Sequence, residues 1–236
     1  METQYQVEYQ LNGMPSSFEF FLFVNPLGMK CYQSEQELIA SLAHISSKVD
    51  VSILTFHNQN TVDHFMEQLE IHDADIQLRN QLYEVVYHAA LAYKAATLQG
   101  KKLGRSYLLR IQEFYNQEGR LFDEEAAFEI AKEVGLDVQI FKHDLSSDFV
   151  RNLFIRDQQI AREMSVVRTP ALIIFQNESG EDGIILKEQI TKERIMEELD
   201  NIMENYYDVR NEEVKELAAK YKPILSVIHK KRQAEN

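Results

Sequence analysis

One cysteine, Cys31, stands in the whole chain, so an intrachain disulfide and a secreted disulfide framework are excluded. Tryptophan is absent, and eight glycines and four prolines punctuate 236 residues. So few turn formers, among abundant Glu, Gln, Leu and Ala, predict a mainly helical protein with a small sheet. Positive charge is also scarce: 25 Lys and Arg against 38 Asp and Glu leave a formal net charge of −13. The one basic cluster, "HKKRQ" near the C-terminal end, reads as a solvated tail. A duplex-binding surface needs clustered Lys and Arg to displace counterions, so direct nucleic-acid binding is not expected, nor is attraction to an anionic membrane. No apolar run approaches the ~20 residues of a membrane span. The opening "METQYQVEYQ" is acidic and polar where a signal peptide needs a basic start and an apolar core, so the expected location is the cytoplasm.

The apolar fraction of 44% suits a globular chain long enough to bury its core without staples. Residues 18–24, "FEFFLFV", form a β-prone run fit for burial on both faces, and Asn25-Pro26 ends it. Leu38, Ile39, Leu42 and Ile45 then recur at helical spacing over about 32–47, and "VDVSILTF" reads as a second strand. Strand, helix, strand is a βαβ unit whose parallel strands need a right-handed crossover. The next hundred residues read as helical. A long helix runs through "LYEVVYHAALAYKAATLQG" to Gly100 as a left-handed cap, with Ala89, Ala92 and Ala96 admitting a close neighbour. Asp123 is the expected N-cap of a helix that stops at Gly135 with Phe128, Ile130, Ala131 and Val134 inward, and "DLSSDFVRNLFIRDQQIAREM" adds one or two more. Strand signals return at "ALIIF" after Thr169-Pro170 and at "IILK", joined by the turn "NESGEDG". Thr191 caps an amphipathic helix with Ile195, Leu199, Ile202 and Tyr206 on one side, and a last helical stretch spans Leu217 to Ile228.

The fold class is therefore α/β: a βαβ half and a ββα half with an all-helical insertion between them. That order, "NPLGMKC" at the end of the first strand and "VVRTPALIIF" before the third resemble the DsbA-like variant of the thioredoxin fold. The family places a D-P-x-C-x-x-C at the first position and a V-x-G-T-P with a cis proline at the second. The resemblance puts the thioredoxin-like part at 1–58 and 166–236 and the insertion at 59–165. "ALAYKAATLQGKK", "FKHDLSSD" and "IAREMSVVRTPALIIF" are similar to the YjbH/SpxH proteins, cytoplasmic DsbA-like adaptors of the ClpXP protease. Members bind the redox-responsive transcription factor Spx and accelerate its degradation. The resemblance implies a non-catalytic adaptor in regulated proteolysis and stress response, with Spx as partner, ClpX or ClpXP as a further one, and no cofactor.

The resemblance also implies a degenerate redox site formed by Gly28, Cys31, Thr169 and Pro170, with Gly28 replacing the attacking cysteine and Cys31 the deeper, resolving one. Thiol–disulfide exchange needs an exposed thiolate of lowered pKa, and a dithiol cycle cannot run on one sulfur, so Cys31 is expected to be an inert packing residue. Gly28 also offers no hydroxyl, where glutathione-transferase relatives hold a serine. Arg168 and Ser165 stand where the wider family favours glycine. The alternative remains a DsbA-family thiol–disulfide oxidoreductase or a glutathione-dependent isomerase or transferase. The seven histidines show no H-x-x-x-H spacing, so no metal site is expected, and Asp73 and Asp75 beside His72 read as a solvated turn. Tyr83, Tyr87 and Tyr93 read as packing residues; Tyr83 and Tyr87 share a helix face and would mark a partner site if exposed.

Overall fold

The computed structural model describes residues 17–45, 47–71, 76–177, 183–187, 189–205 and 212. The expected turn at 72–75, most of the turn "NESGEDG", Tyr206, the stretch from Leu217 to Ile228 and the basic C-terminal cluster lie outside them. The chain forms β1 (Ser17–Val24), α1 (Met29–Leu42), β2 (Lys48–Thr55), α2 (Gln59–Gln68), α3 (Ile76–Leu98), α4 (Lys101–Asn116), α5 (Glu124–Glu133), α6 (Val138–Leu145), α7 (Asp148–Glu163), β3 (Ala171–Gln176) and β4 (Ile184–Lys187). A helix α8 follows at 192–205. The strand order is β2-β1-β3-β4; β1 pairs with β2 in parallel and with β3 antiparallel, and β3 and β4 form an antiparallel pair.

Phe18, Phe20, Leu22 and Val24 of β1 pack with Leu38 of α1 and with Ile195, Leu199 and Met203 of α8. Phe23 points to the other face, among Leu54, Phe56, Ala161 of α7 and Ile173. The two-residue period of the strand thus feeds both faces, which is why its sequence is almost continuously apolar. The helical segment has its own core of Ala89, Ala92 and Ala96 with Tyr107, Ile111, Phe114, Ile130 and Phe141. Small residues let α4 close on α3: a Cβ on Gly104 would come within 2.7 Å of the Thr97 methyl and 3.0 Å of its Cα.

Several sequence expectations change in detail. Helix α1 begins at Met29, a turn before Tyr32, and ends at Leu42, leaving Ile39 on its exposed side. Gly100 is not a left-handed C-cap. Its φ of +127° and ψ of 144° turn the chain straight into α4, whose first bond runs from the Gly104 N–H to the Gly100 carbonyl. "DLSSD" is a boundary: α6 ends at Leu145 and Ser147 caps α7 through the Val150 N–H. Asp123 and Thr191 do cap their helices, accepting from the Ala126 and Arg194 N–H groups. The tyrosines of α3 make no exposed patch. Tyr83 stacks on His57 at 4.1 Å, Tyr87 meets Phe154 edge-on at 5.1 Å, and buried Tyr93 donates to the Ile53 carbonyl. Ser165 has φ +55°, the left-handed region where glycine is favoured. It closes α7 in a Schellman motif, with the Ser165 N–H on the Arg162 carbonyl and the Val166 N–H on the Ala161 carbonyl.

Candidate functional site

Asn25, Pro26, Leu27 and Gly28 make a tight turn from β1 into α1. The Gly28 N–H donates to the Asn25 carbonyl at 3.1 Å, and the Leu27 N–H to Asn25 Oδ1 at 3.0 Å. Pro26 occupies the turn position that its fixed φ suits. Gly28 is the N-cap of α1 in extended geometry, and no side chain caps the helix. Its φ of −75° is open to any residue, and a Cβ there would lie 3.3 Å from Cys31 Sγ. Glycine at this position therefore answers no backbone requirement.

Cys31 lies one turn into α1 and is only 2% exposed. The Asn25 N–H donates to its sulfur at 3.2 Å. Burial pushes the thiol up to about 12, opposed by hydrogen bonds from the Asn25 backbone and the Thr169 side chain, and reinforced by the Glu35 carboxyl. The sulfur is thus a neutral thiol near neutral pH, screened from partners and poor as a nucleophile. The Thr169-Pro170 peptide bond is cis, and the side chain of Thr169, itself buried, hydrogen-bonds the thiol. The structure brings Gly28, Cys31, Thr169 and Pro170 together from residues about 140 apart in the chain.

Two buried ionic features escaped the sequence reading. Glu35 lies one turn below Cys31 and is fully buried. Neither of its oxygens, nor either amide atom of buried Gln112, completes a well-formed hydrogen bond within the protein. Burial raises its carboxyl to about 8, partly opposed by the Gln112 amide and the Arg105 guanidinium. The i, i+4 spacing from Cys31 on the inward face of α1 was the available signal. The second feature is an ion pair between Lys94 of α3 and Asp157 of α7, both almost wholly buried. Asp157 also accepts from the Thr55 N–H at 2.9 Å and the Thr55 hydroxyl at 3.1 Å. Gln158 accepts from the His57 N–H and donates to the Thr55 carbonyl, so α7 seals the end of β2. Among the described residues, no three His, Cys, Asp or Glu gather as a metal site, and no helix is long and apolar enough to cross a membrane.

This geometry, a mixed sheet with a cis Thr169-Pro170 bond beside the first turn of α1, defines a thioredoxin-fold protein. The chain belongs to the thioredoxin family (Thioredoxin_5), which it matches over residues 21–198. Within that class its curated relatives include the SpxH proteins. It is 30% identical over 186 residues to the ClpXP adapter protein SpxH of Bacillus cereus, covering 71% of this chain and 63% of that protein. It is 38% identical over 99 residues to the one from Bacillus subtilis, covering 42% of this chain and 33% of that protein. The match thus spans less than two thirds of the length of these relatives. The DsbA crystal structure from Pseudomonas aeruginosa superposes with a TM-score of 0.57 at 11% identity, over 84% of this chain and 88% of that one. The oxidoreductase DsbA from Xylella fastidiosa does so at 0.55 and 14%, over 80% and 87%. At such identities the likeness establishes the fold alone, which is the DsbA-like fold expected from the sequence.

Gly28→Cys is expected to rebuild a bridgeable pair. In a disulfide a Cβ sits roughly 3 Å from the partner sulfur, given an S–S bond of about 2.05 Å, and the available distance is 3.3 Å. Mass spectrometry of the oxidised variant should find the loss of two hydrogens and no alkylatable thiol. The parent should not accelerate the turbidity of insulin in dithiothreitol. A Cys31-dependent acceleration by the parent would overturn the inert-thiol reading.

Proposed function

We propose that the protein is a non-catalytic adaptor that binds the transcription factor Spx and promotes its degradation by ClpXP in the cytoplasm. The observation that carries this reading is a single, buried sulfur, Cys31, with Gly28 three residues before it, in a chain related to proteins named ClpXP adapter protein SpxH. Gly28, Cys31, Thr169 and Pro170 are then a degenerate redox site kept as architecture. The division into a thioredoxin-like part, 1–58 with 166–236, and an insertion at 59–165 draws support from a core cluster built almost wholly from the helices of 59–165, with Leu27 joining it and Tyr93 and Leu108 packing with the sheet. The rival reading, a thiol–disulfide oxidoreductase or glutathione-dependent enzyme, draws support from fold likeness alone.

The test is the half-life of purified Spx with ClpXP and ATP, with and without the protein. The half-life should shorten severalfold on addition. Cys31→Ala should stay within a few-fold of the parent, since affinity in such an interface comes from a few exposed anchors and a few-fold change is under ~1 kcal/mol. No shortening by the folded parent would sink the adaptor reading. Loss of stimulation in a folded Cys31→Ala would make the thiol a functional group.

A further inference from the structure

The cleft beside Cys31 has a charge opposite to that of the molecule around it. A recess of about 50 Å³ opens at the cis-proline loop, lined by Lys30, His64, Val167, Arg168, Thr169, Pro170 and Lys187. The basic side chains come from four places far apart in the chain: Lys30 from the first turn of α1, His64 from α2, Arg168 from the loop, and Lys187 from the end of β4 opposite Ala171. Among the described residues no Asp or Glu lines the recess, in a chain of net charge −13. His64 is held by Glu67 at 3.2 Å. Among the described residues, Lys30, Arg168 and Lys187 enter no ion pair, whereas Arg110, Arg120 and Arg151 elsewhere are each paired with carboxylates. Like charges gathered without a counter-charge repel one another, and an anion between them relieves that repulsion.

The size of the recess limits what can enter. The space is that of a few water molecules, so it admits a carboxylate-sized group. Val167, 57% exposed on the rim, offers an apolar contact for the stem of such a side chain. The geometry points to this recess as the seat of an Asp or Glu side chain of a partner polypeptide, with Arg168, Lys187 and Lys30 setting selectivity for an acidic segment. The inference rests on the adaptor reading and adds the chemistry of the segment the adaptor holds. A guanidinium can grip the carboxylate in two parallel hydrogen bonds, which makes Arg168 the strongest contributor of the three. The net charge of −13 disfavours general attraction of an acidic chain, and charge reversal at Arg168 and Lys187 separates capture at this site from capture by the basic cluster near the C-terminal end.

The test uses the full chain and fluorescein-labelled twelve-residue peptides that alternate Val with Glu, Gln or Lys, read by fluorescence anisotropy. At about 50 mM salt the Glu peptide should bind at least ten times more tightly than the Gln peptide, and the Lys peptide more weakly still. Raising salt to about 300 mM should weaken the Glu peptide severalfold, because the contacts are exposed to screening. Arg168→Glu and Lys187→Glu should each reduce its affinity about tenfold, while Lys142→Glu, which reverses a cation in another cleft, should leave it within twofold. Equal binding of the Glu and Gln peptides, unchanged affinity in Arg168→Glu, or equal loss in Lys142→Glu would overturn the proposal. So would displacement by inorganic phosphate at matched ionic strength, which would make the recess a general anion site. Failure here with intact stimulation of Spx degradation removes the acidic-segment proposal alone. Loss of stimulation by the parent removes the adaptor reading instead.

Discussion

Lys94→Met is expected to destabilise the fold by about 3–5 kcal/mol, the usual penalty for leaving one member of a buried ion pair alone. Lys94 and Asp157 are almost wholly enclosed, so solvent cannot screen the stranded carboxylate. Burial already raises the Asp157 carboxyl, and the Lys94 ammonium is the largest influence opposing that rise. Once the ammonium is gone, Asp157 must either take up a proton or remain an uncompensated charge against β2. The two Thr55 hydrogen bonds to its carboxylate weaken in the first case. Urea denaturation followed by circular dichroism measures the loss. Lys94→Met combined with Asp157→Asn should recover a substantial part, since the amide oxygen still accepts from Thr55 and no charge is stranded. A single variant within ~1 kcal/mol of the parent would mean that water reaches the pair and that it does not tie α3 and α7 to the sheet.

The fold was legible because its signals are periodic and local. β1 announced itself as a run of aromatics, the amphipathic helices by their spacing, and Asp123 and Thr191 as caps. The DsbA-like order was recoverable from two short motifs whose residues meet across the cleft. Joining Gly28 and Cys31 to Thr169 and Pro170 needed the family resemblance, since no local pattern links residues so distant in the chain. Gly100 misled because α4 follows α3 after only two residues, and a glycine between helices looks the same whether it ends one or begins the next. Gly104 went unread because its role is a contact with Thr97, visible only once the helices are packed. The basic recess was illegible for a stronger reason: Lys30, His64, Arg168 and Lys187 are single basic residues in unrelated segments, and only the sheet and helices gather them. Lys94 and Asp157 went unread for the same cause.

Glu35→Gln should abolish a pH dependence of stability that the parent carries between about pH 4.5 and 8. The ordinary glutamate value is 4.5, and burial raises it to about 8 in the folded protein. Between those values the native state holds a proton that the unfolded chain has released, so stability falls as pH rises. The contribution of Glu35 is fully present below 4.5 and is lost as pH climbs through 8. At pH 7 the cumulative loss is on the order of 3 kcal/mol, since each unit of pKa difference corresponds to about 1.4 kcal/mol. Glutamine keeps the volume and hydrogen-bonding atoms beside Gln112 and Arg105 but cannot ionise. The variant should therefore be more stable than the parent at pH 7–9 and nearly equal to it near pH 4.5. Urea midpoints across that range make the comparison, and parallel pH profiles for the two proteins would mean that Glu35 is already solvated or paired in the native state. A rise in alkaline stability also separates two causes of any Cys31 reactivity. If the Glu35 carboxylate loosens the base of α1 on ionising, maleimide labelling of Cys31 should accelerate above pH 8 in the parent more steeply than in Glu35→Gln, because thiolate formation alone would favour Glu35→Gln, which lacks the carboxylate that raises the Cys31 thiol.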